Sequence, residues 1–309
     1  MKRIISLTLG IFVVILSTMV FSEKAMAAST SEVKASKLSI TYNKDTDKLE
    51  HDIKLTVPYV SKSKSGSNYI QMVITYYDKA TKNKLNSIAY GWYISNSKKG
   101  ETITFNMPIS VGAVLSKTVE AEIKITDYRN NTKATLGKKD VELSESYILS
   151  VNNKNSIELC QKKYSTTYSY NGTKIDVKGQ GCAILSAAVA ESVLTQNPVI
   201  DPGYYSMNSE ADMGKHIGHI GSIKRMDNSS EMWKSFAEEI KNGRPIMVYS
   251  DKASRFHYVL IVGVKRGVEK YDATSFLLYD PLDGSYGTET LDQSGYYKDY
   301  SKYRFTKNK

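Results

Sequence analysis

From Leu38 to Leu143 apolar side chains recur at every second position. Leu38, Ile40 and Tyr42 alternate with polar residues, as do Ile53, Leu55 and Val57, then Ile70, Met72, Ile74 and Tyr76. Ile88, Tyr90, Trp92 and Ile94 follow, then Ile103, Phe105 and Met107 ahead of Pro108, then Val119, Ala121, Ile123 and Ile125, with a last short run around Val141 and Leu143. Alternation at two residues puts every apolar side chain on one face of an extended strand, and that face has to be buried against another. About seven such runs in roughly 100 residues, with no helical period between them, predict an antiparallel β-sandwich of immunoglobulin-like or fibronectin-like type. This half lacks the cysteine pair of antibody domains, and no motif in it repeats at a fixed period. Its lone histidine, His51 in KLEHDIK, is expected in a solvated turn, and Ser61 to Ser67 in a hairpin loop.

Ahead of the alternating runs, Lys2 and Arg3 precede an apolar stretch from Ile4 to about Phe21 and the small-residue triplet Ala25-Met26-Ala27. That order predicts a secretory signal, residues 1–27, cleaved after Ala27, and so a secreted or cell-surface protein. The apolar stretch is interrupted by Ser17 and Thr18, which argues against a retained anchor. The +10 formal charge suits work beside anionic surfaces, which for an exported chain means cell-surface polymers or lipid headgroups. Nucleic acid is not expected, because no compact Arg-rich helix or nucleic-acid module is present.

The composition shifts toward Ser and Asn over residues 144–155, where a linker is expected, dividing a β-sandwich at 28–147 from a second domain at 148–309. The second half mixes periods. A helix is predicted after Gly181, another over Ser230 to Lys241 stopped by Asn242-Gly243, then strands in PIMVYS, HYVLIVGVK and SFLLYDP. Near-continuous apolar runs such as Val259 to Val262 belong to strands covered on both faces. The expected class is α+β.

Cys182 stands between the Gly-rich turn GQG and the helix-forming run AILSAAVAESVL, which places its thiol in the first turn of a helix. Unpaired N–H groups and the macrodipole there favour an anion, and the thiolate is the attacking form. A nucleophilic cysteine needs a base to take its proton and an acceptor to orient that base. His257 opens one strand and Asp280 closes the next, so adjacent antiparallel strands bring both within reach. The competing readings are a core histidine and a turn-forming Asp before Pro281. The only other thiol is Cys160, and in an exported chain one structural disulfide is the alternative use of the pair. A reversible disulfide that silences the thiol is a third. His216 and His219 have a zinc-compatible spacing but no third ligand nearby in sequence, and no metal or cofactor is expected.

At CQKKYSTTY, GQGCAILSAAVA, NGRPIMVYS, FHYVLIVGV and LLYDPLDG the chain resembles the papain-like cysteine peptidases of the C39-like group, over roughly Leu159 to Gly284. The resemblance implies Cys182 as nucleophile, His257 as base, Asp280 as its orienter and Gln161 as oxyanion donor. Cys182 is followed by Ala183, where the family often has Gly, and Gln180 competes with Gln161 for the oxyanion position. The function so implied is hydrolysis of peptide or amide bonds in a peptide or protein substrate. An acyltransferase or deamidase of the same fold, and a catalytically silent binding or toxin-like protein, remain open. The sandwich is expected to bind an anionic cell-surface polymer or a protein partner.

Overall fold

The computed structural model describes residues 33–306 apart from 45, 47, 62, 64, 95–99, 111–113, 205, 208–220 and 251–255. The expected signal segment and the His216/His219 pair lie outside the described residues.

Seven strands fill the first half: β1 (Lys34–Asn43), β2 (Lys48–Val57), β3 (Tyr69–Asp78), β4 (Lys84–Tyr93), β5 (Glu101–Phe105), β6 (Thr118–Asp127) and β7 (Thr132–Glu142). They pair into two antiparallel sheets, ordered β1-β2-β5 and β4-β3-β6-β7. The alternating residues of both sheets share one core, with Leu49, Ile53 and Leu55 of β2, Ile70, Met72 and Ile74 of β3, and Val119, Ile123 and Ile125 of β6 fully or almost fully buried. Each such aliphatic side chain contributes about 1.5–3 kcal/mol. β7 runs much longer than the short strand expected around Val141. Its apolar alternation is masked by Lys138, Lys139 and Asp140 and broken at Gly137, where the register with β6 slips.

His51 corrects a second expectation. It lies inside β2, in phase with Leu49 and Ile53, and is 3% exposed. Its Nδ1–H donates to the Met107 carbonyl at 2.8 Å and its Nε2 accepts from the Tyr76 hydroxyl. Burial holds the imidazole below its ordinary 6.5, against the upward pull of the bond to Met107. The unfolded chain therefore takes up a proton below about pH 6.5 that the folded chain refuses, and stability falls as pH drops through that range. The urea midpoint of His51→Gln relative to wild type should therefore rise between pH 7.5 and pH 5, a comparison in which the other titrating groups cancel.

The second half contains β8 (Ser146–Ile148), β9 (Thr167–Tyr170), β10 (Thr173–Asp176), α1 (Val177–Gln180), α2 (Cys182–Thr195), β11 (Ser206–Met207), β12 (Lys224–Arg225), α3 (Ser230–Lys241), β13 (Ile246–Ser250), β14 (His257–Lys265), β15 (Phe276–Asp280), β16 (Ser285–Thr290) and β17 (Lys302–Phe305). The main sheet runs β12-β17-β13-β14-β15-β16, and β10-β9-β11 form a small second one. β14 reads as an unbroken apolar run because both its faces are covered. Tyr258, Leu260 and Val262 meet Ile184, Leu185 and Ala188 of α2, while Val259 and Ile261 meet Trp233, Phe236 and Ile240 of α3. Among the described residues no helix is long and apolar enough to cross a membrane.

The Ser- and Asn-rich stretch expected as a linker is in part built into the sheet. β8 pairs with the far end of β14, Gly263 to Lys265. Beyond that end Arg266, 2% exposed, donates from Nε to the Val114 carbonyl at 2.8 Å and from Nη1 to the Ser146 carbonyl at 3.0 Å and the Ser144 hydroxyl at 2.5 Å. The Gly267 N–H meets the Leu115 carbonyl at 2.6 Å. One buried guanidinium thus ties the β14–β15 connection to the first half.

Candidate active site

The turn that presents Cys182 is assembled from short-range bonds. The Asp176 carboxylate caps α1 by accepting from the N–H groups of Lys178 and Gly179. The Gly181 N–H donates to the Val177 carbonyl at 2.8 Å, and the Gly181 carbonyl accepts from Leu185 N–H at 2.9 Å, so the chain passes from α1 directly into α2. A Cβ at position 181 would lie 2.3 Å from the Val177 oxygen and 2.7 Å from its Cγ1. Glycine is required there by close approach. Gly181→Ala is expected to push the turn open, cost about 1–3 kcal/mol and move the Cys182 N–H, so that thermal melting and thiol reactivity change together. Cys182 itself is the first residue of α2 and is 5% exposed.

His257 is the first residue of β14 and Asp280 the last of β15, and these strands pair antiparallel. The imidazole Nε2–H donates to Asp280 Oδ1 at 2.8 Å. The same oxygen accepts the Leu282 N–H at 2.8 Å, which fixes the carboxylate within the Asp280-Pro281-Leu282 turn. With Nε2 engaged, Nδ1 is the nitrogen left for Cys182, and a side-chain hydrogen bond joins His257 to that thiol. Burial alone would pull the imidazole down, but the hydrogen bonds to Asp280 and Cys182 and the charges of both outweigh it and raise it to about 9.

Gln161 opens a 3-10 turn, Gln161–Lys163, and is 3% exposed. Its backbone N–H donates to the Pro281 carbonyl at 2.7 Å and its Nε2 to the Lys178 carbonyl at 3.3 Å, while Oε1 is buried without a partner. The segment is wedged between the turn that carries Asp280 and the turn that carries Cys182. Gln180 is exposed, and its carbonyl accepts the Tyr168 hydroxyl at 3.2 Å. The structure therefore sets Gln161 beneath the Cys182 turn and Gln180 at the surface. Both cysteines are free thiols, and Cys160 Sγ donates to the Leu282 carbonyl at 3.4 Å. The single structural disulfide is not formed.

Two aromatic side chains also reach the site. Tyr296 lies over His257, with ring centroids 4.5 Å apart and planes tilted by 38°. Tyr168 braces the Gln180 carbonyl, and burial, with Cys182 and Tyr170 nearby, pushes its hydroxyl up to about 12, so it stays a neutral donor. The only sequence signal for either was the abundance of Tyr around them. Others in the same C-terminal run, Tyr300 and Tyr303, are buried in the core under α3. Among the described residues no group of three or more His, Cys, Asp or Glu side chains is arranged to hold a metal ion.

A thiol at a helix start, an imidazole beside it and a carboxylate behind the imidazole are the parts of a papain-like thiol hydrolase. The family model described as Peptidase_C39 like family matches residues 165–308, so the C-terminal part of this chain is similar to that C39-like family. Gln161 lies just ahead of the matched segment. No curated protein matches the chain. Among solved structures, Parabacteroides merdae β-glucuronidase aligns at 10% identity over 52% of this chain and 21% of its own, with a TM-score of 0.23, a likeness too slight to bear on the fold.

Proposed function

We propose that the chain is a secreted cysteine peptidase that cleaves peptide or amide bonds through Cys182, His257, Asp280 and Gln161. The observation that carries this is the tethering of one buried imidazole between the Asp280 carboxylate and the Cys182 thiol. The Cys182 proton passes to His257 Nδ1, and the thiolate sulfur attacks the scissile carbonyl carbon. The resulting oxyanion is met by the Cys182 N–H and by the second Nε2 hydrogen of Gln161, a donor of a kind worth about 3 kcal/mol in the transition state. His257 then protonates the departing amine, the C–N bond breaks and a thioester remains. A water molecule gives its proton to His257 and its oxygen to the thioester carbon, releasing the acid and restoring the thiol.

Iodoacetamide labelling compared between wild type and His257→Ala tests the activated thiol. Labelling at Cys182 should slow markedly in the variant, and equal rates would sink the proposal. Cleavage of a peptide library, set against ammonia release from glutamine-containing peptides, then separates peptidase from deamidase, and transfer to an added amine identifies an acyltransferase.

We further infer an immunoglobulin-like or fibronectin-like sandwich at 28–147 ahead of the catalytic domain at 148–309. The three- and four-stranded sheets closing on one core support this. The signal-like residues 1–27 support export.

A further inference from the structure

An imidazole held at one nitrogen is only partly placed. The bond from Nε2 to Asp280 Oδ1 fixes one corner of the His257 ring, yet the ring can still roll about the line from Cβ to Nε2, and that roll swings Nδ1 toward or away from Cys182. A flat surface against the ring face stops the roll. Tyr296 supplies one, with its ring centroid 4.5 Å from that of His257 and the planes tilted by 38°, at the close end of the range for aromatic pairs. His257 is 2% exposed and Tyr296 is half-buried, so the tyrosine ring is part of the cover that keeps water from the imidazole.

The segment that carries Tyr296 is itself tied down. The Tyr296 N–H donates to the Ser294 hydroxyl at 3.3 Å, and its carbonyl accepts the Asp299 N–H at 2.9 Å. The hydroxyls of Ser294 and Tyr300, both buried residues, are bonded at 2.8 Å. Burial pushes the Tyr300 hydroxyl up against the pull of that bond, and Asp280, Tyr296 and Cys182 add to the rise, so it stays neutral beside the site. The Ser301 N–H donates to the Tyr249 carbonyl at 3.2 Å, and the next residue of β13, Ser250, pairs with His257. The tyrosine segment and the imidazole are thus both fastened to β13. Among the described residues, Asp280 from β15 and Cys182 from α2 are the charged partners of His257. The C-terminal segment adds Tyr296 and, beside Asp280 and Cys182, Tyr300, while β13 sets Ser250 opposite.

From this geometry we propose that Tyr296 is a positioning residue for His257, its ring face fixing the roll of the imidazole so that Nδ1 stays on Cys182 and favouring the imidazolium that accompanies the thiolate. The electron-rich face of a tyrosine attracts a cation lying against it, and does so more strongly away from water. The role rests on the reading of Cys182 and His257 as nucleophile and base. Tyr296 acts through His257, so it changes the chemical step rather than the binding of substrate.

Tyr296→Leu removes the flat face and keeps an apolar side chain, whereas Tyr296→Phe restores the face without the hydroxyl. Two pH profiles of the full chain test the role: alkylation of Cys182 by iodoacetamide, read by peptide mass mapping so that Cys160 is counted apart, and peptide cleavage. Loss of support for the imidazolium lowers the pKa of His257 and raises that of the thiol paired with it. In Tyr296→Leu the acid limb of alkylation should therefore move up, and the alkaline limb of cleavage, near 9 in wild type, should move down, each by roughly half a unit to one unit. The same variant should lose about 10-fold or more in kcat, with KM within about twofold of wild type. Tyr296→Phe should recover both limbs and kcat, and Tyr296→Met takes the place of the leucine variant if that one does not fold. Unmoved limbs in Tyr296→Leu, a phenylalanine variant that behaves like the leucine one, or a leucine variant that cleaves faster than wild type would each overturn the proposal. A wild type that cleaves no peptide, with the acid limb of alkylation still moved in Tyr296→Leu and restored in Tyr296→Phe, would remove the peptidase reading and leave the positioning role standing.

Discussion

Asp280→Asn should lower kcat on a cleaved peptide by roughly 10³- to 10⁴-fold while leaving the fold intact, the size of effect seen when an orienting carboxylate is replaced by its amide. Two donors converge on Asp280 Oδ1, the His257 Nε2–H and the Leu282 N–H, each at 2.8 Å. An amide that keeps its oxygen toward Leu282 still satisfies the turn, but it removes the charge that favours imidazolium. The pH profile supplies a readout that a merely structural role would not move. With His257 raised to about 9, the imidazolium that partners the thiolate persists through neutral pH and is lost as pH rises through that value. Wild-type kcat/KM should therefore fall on an alkaline limb near 9, and in Asp280→Asn that limb should move toward lower pH, because the burial that opposes protonation is left without its largest counterweight. An unmoved limb would show that Asp280 does not act through His257.

Arg266→Ala should cost about 2–6 kcal/mol, since it strands the carbonyls of Val114 and Ser144 in a buried site at about 1–3 kcal/mol apiece, while the Ser144 hydroxyl and the Ser146 carbonyl keep each other. The loss falls on the joint rather than on either core, so urea unfolding followed by tryptophan fluorescence should separate into two transitions. Trp92 reports on the first half and Trp233 on the second. A single transition at the wild-type midpoint would show that the guanidinium holds nothing together. Lys at this position is not an equivalent replacement, because one ammonium cannot reach acceptors on both sides of the joint as the guanidinium fork does.

Much of the fold is encoded locally and was legible without coordinates. Period-two alternation marks β1 to β6, and Gly243 at φ 77° ends α3 where Asn242-Gly243 predicts a stop. The thiol of Cys182 at a helix start, His257 at the opening of a strand and Asp280 before a proline are likewise features of short segments. His51 could have been placed too, since its phase with Leu49 and Ile53 outweighs its charged neighbours. β7 could not, because a strand whose outward face is lysine and whose pairing slips at Gly137 shows its partner only through β6.

The sequence by itself determined most of the segments that become strands and helices and which side chains are candidates for chemistry, since propensity, alternation and capping act over a few neighbouring positions. The tertiary structure decided the partners. It set Gln161 rather than Gln180 beneath the Cys182 turn, turned Cys160 onto the Leu282 carbonyl, laid Tyr296 over His257 and sent Arg266 across to the first half. Each of those contacts joins residues far apart in the chain, and which donor meets which acceptor is settled only once the strands and helices have packed.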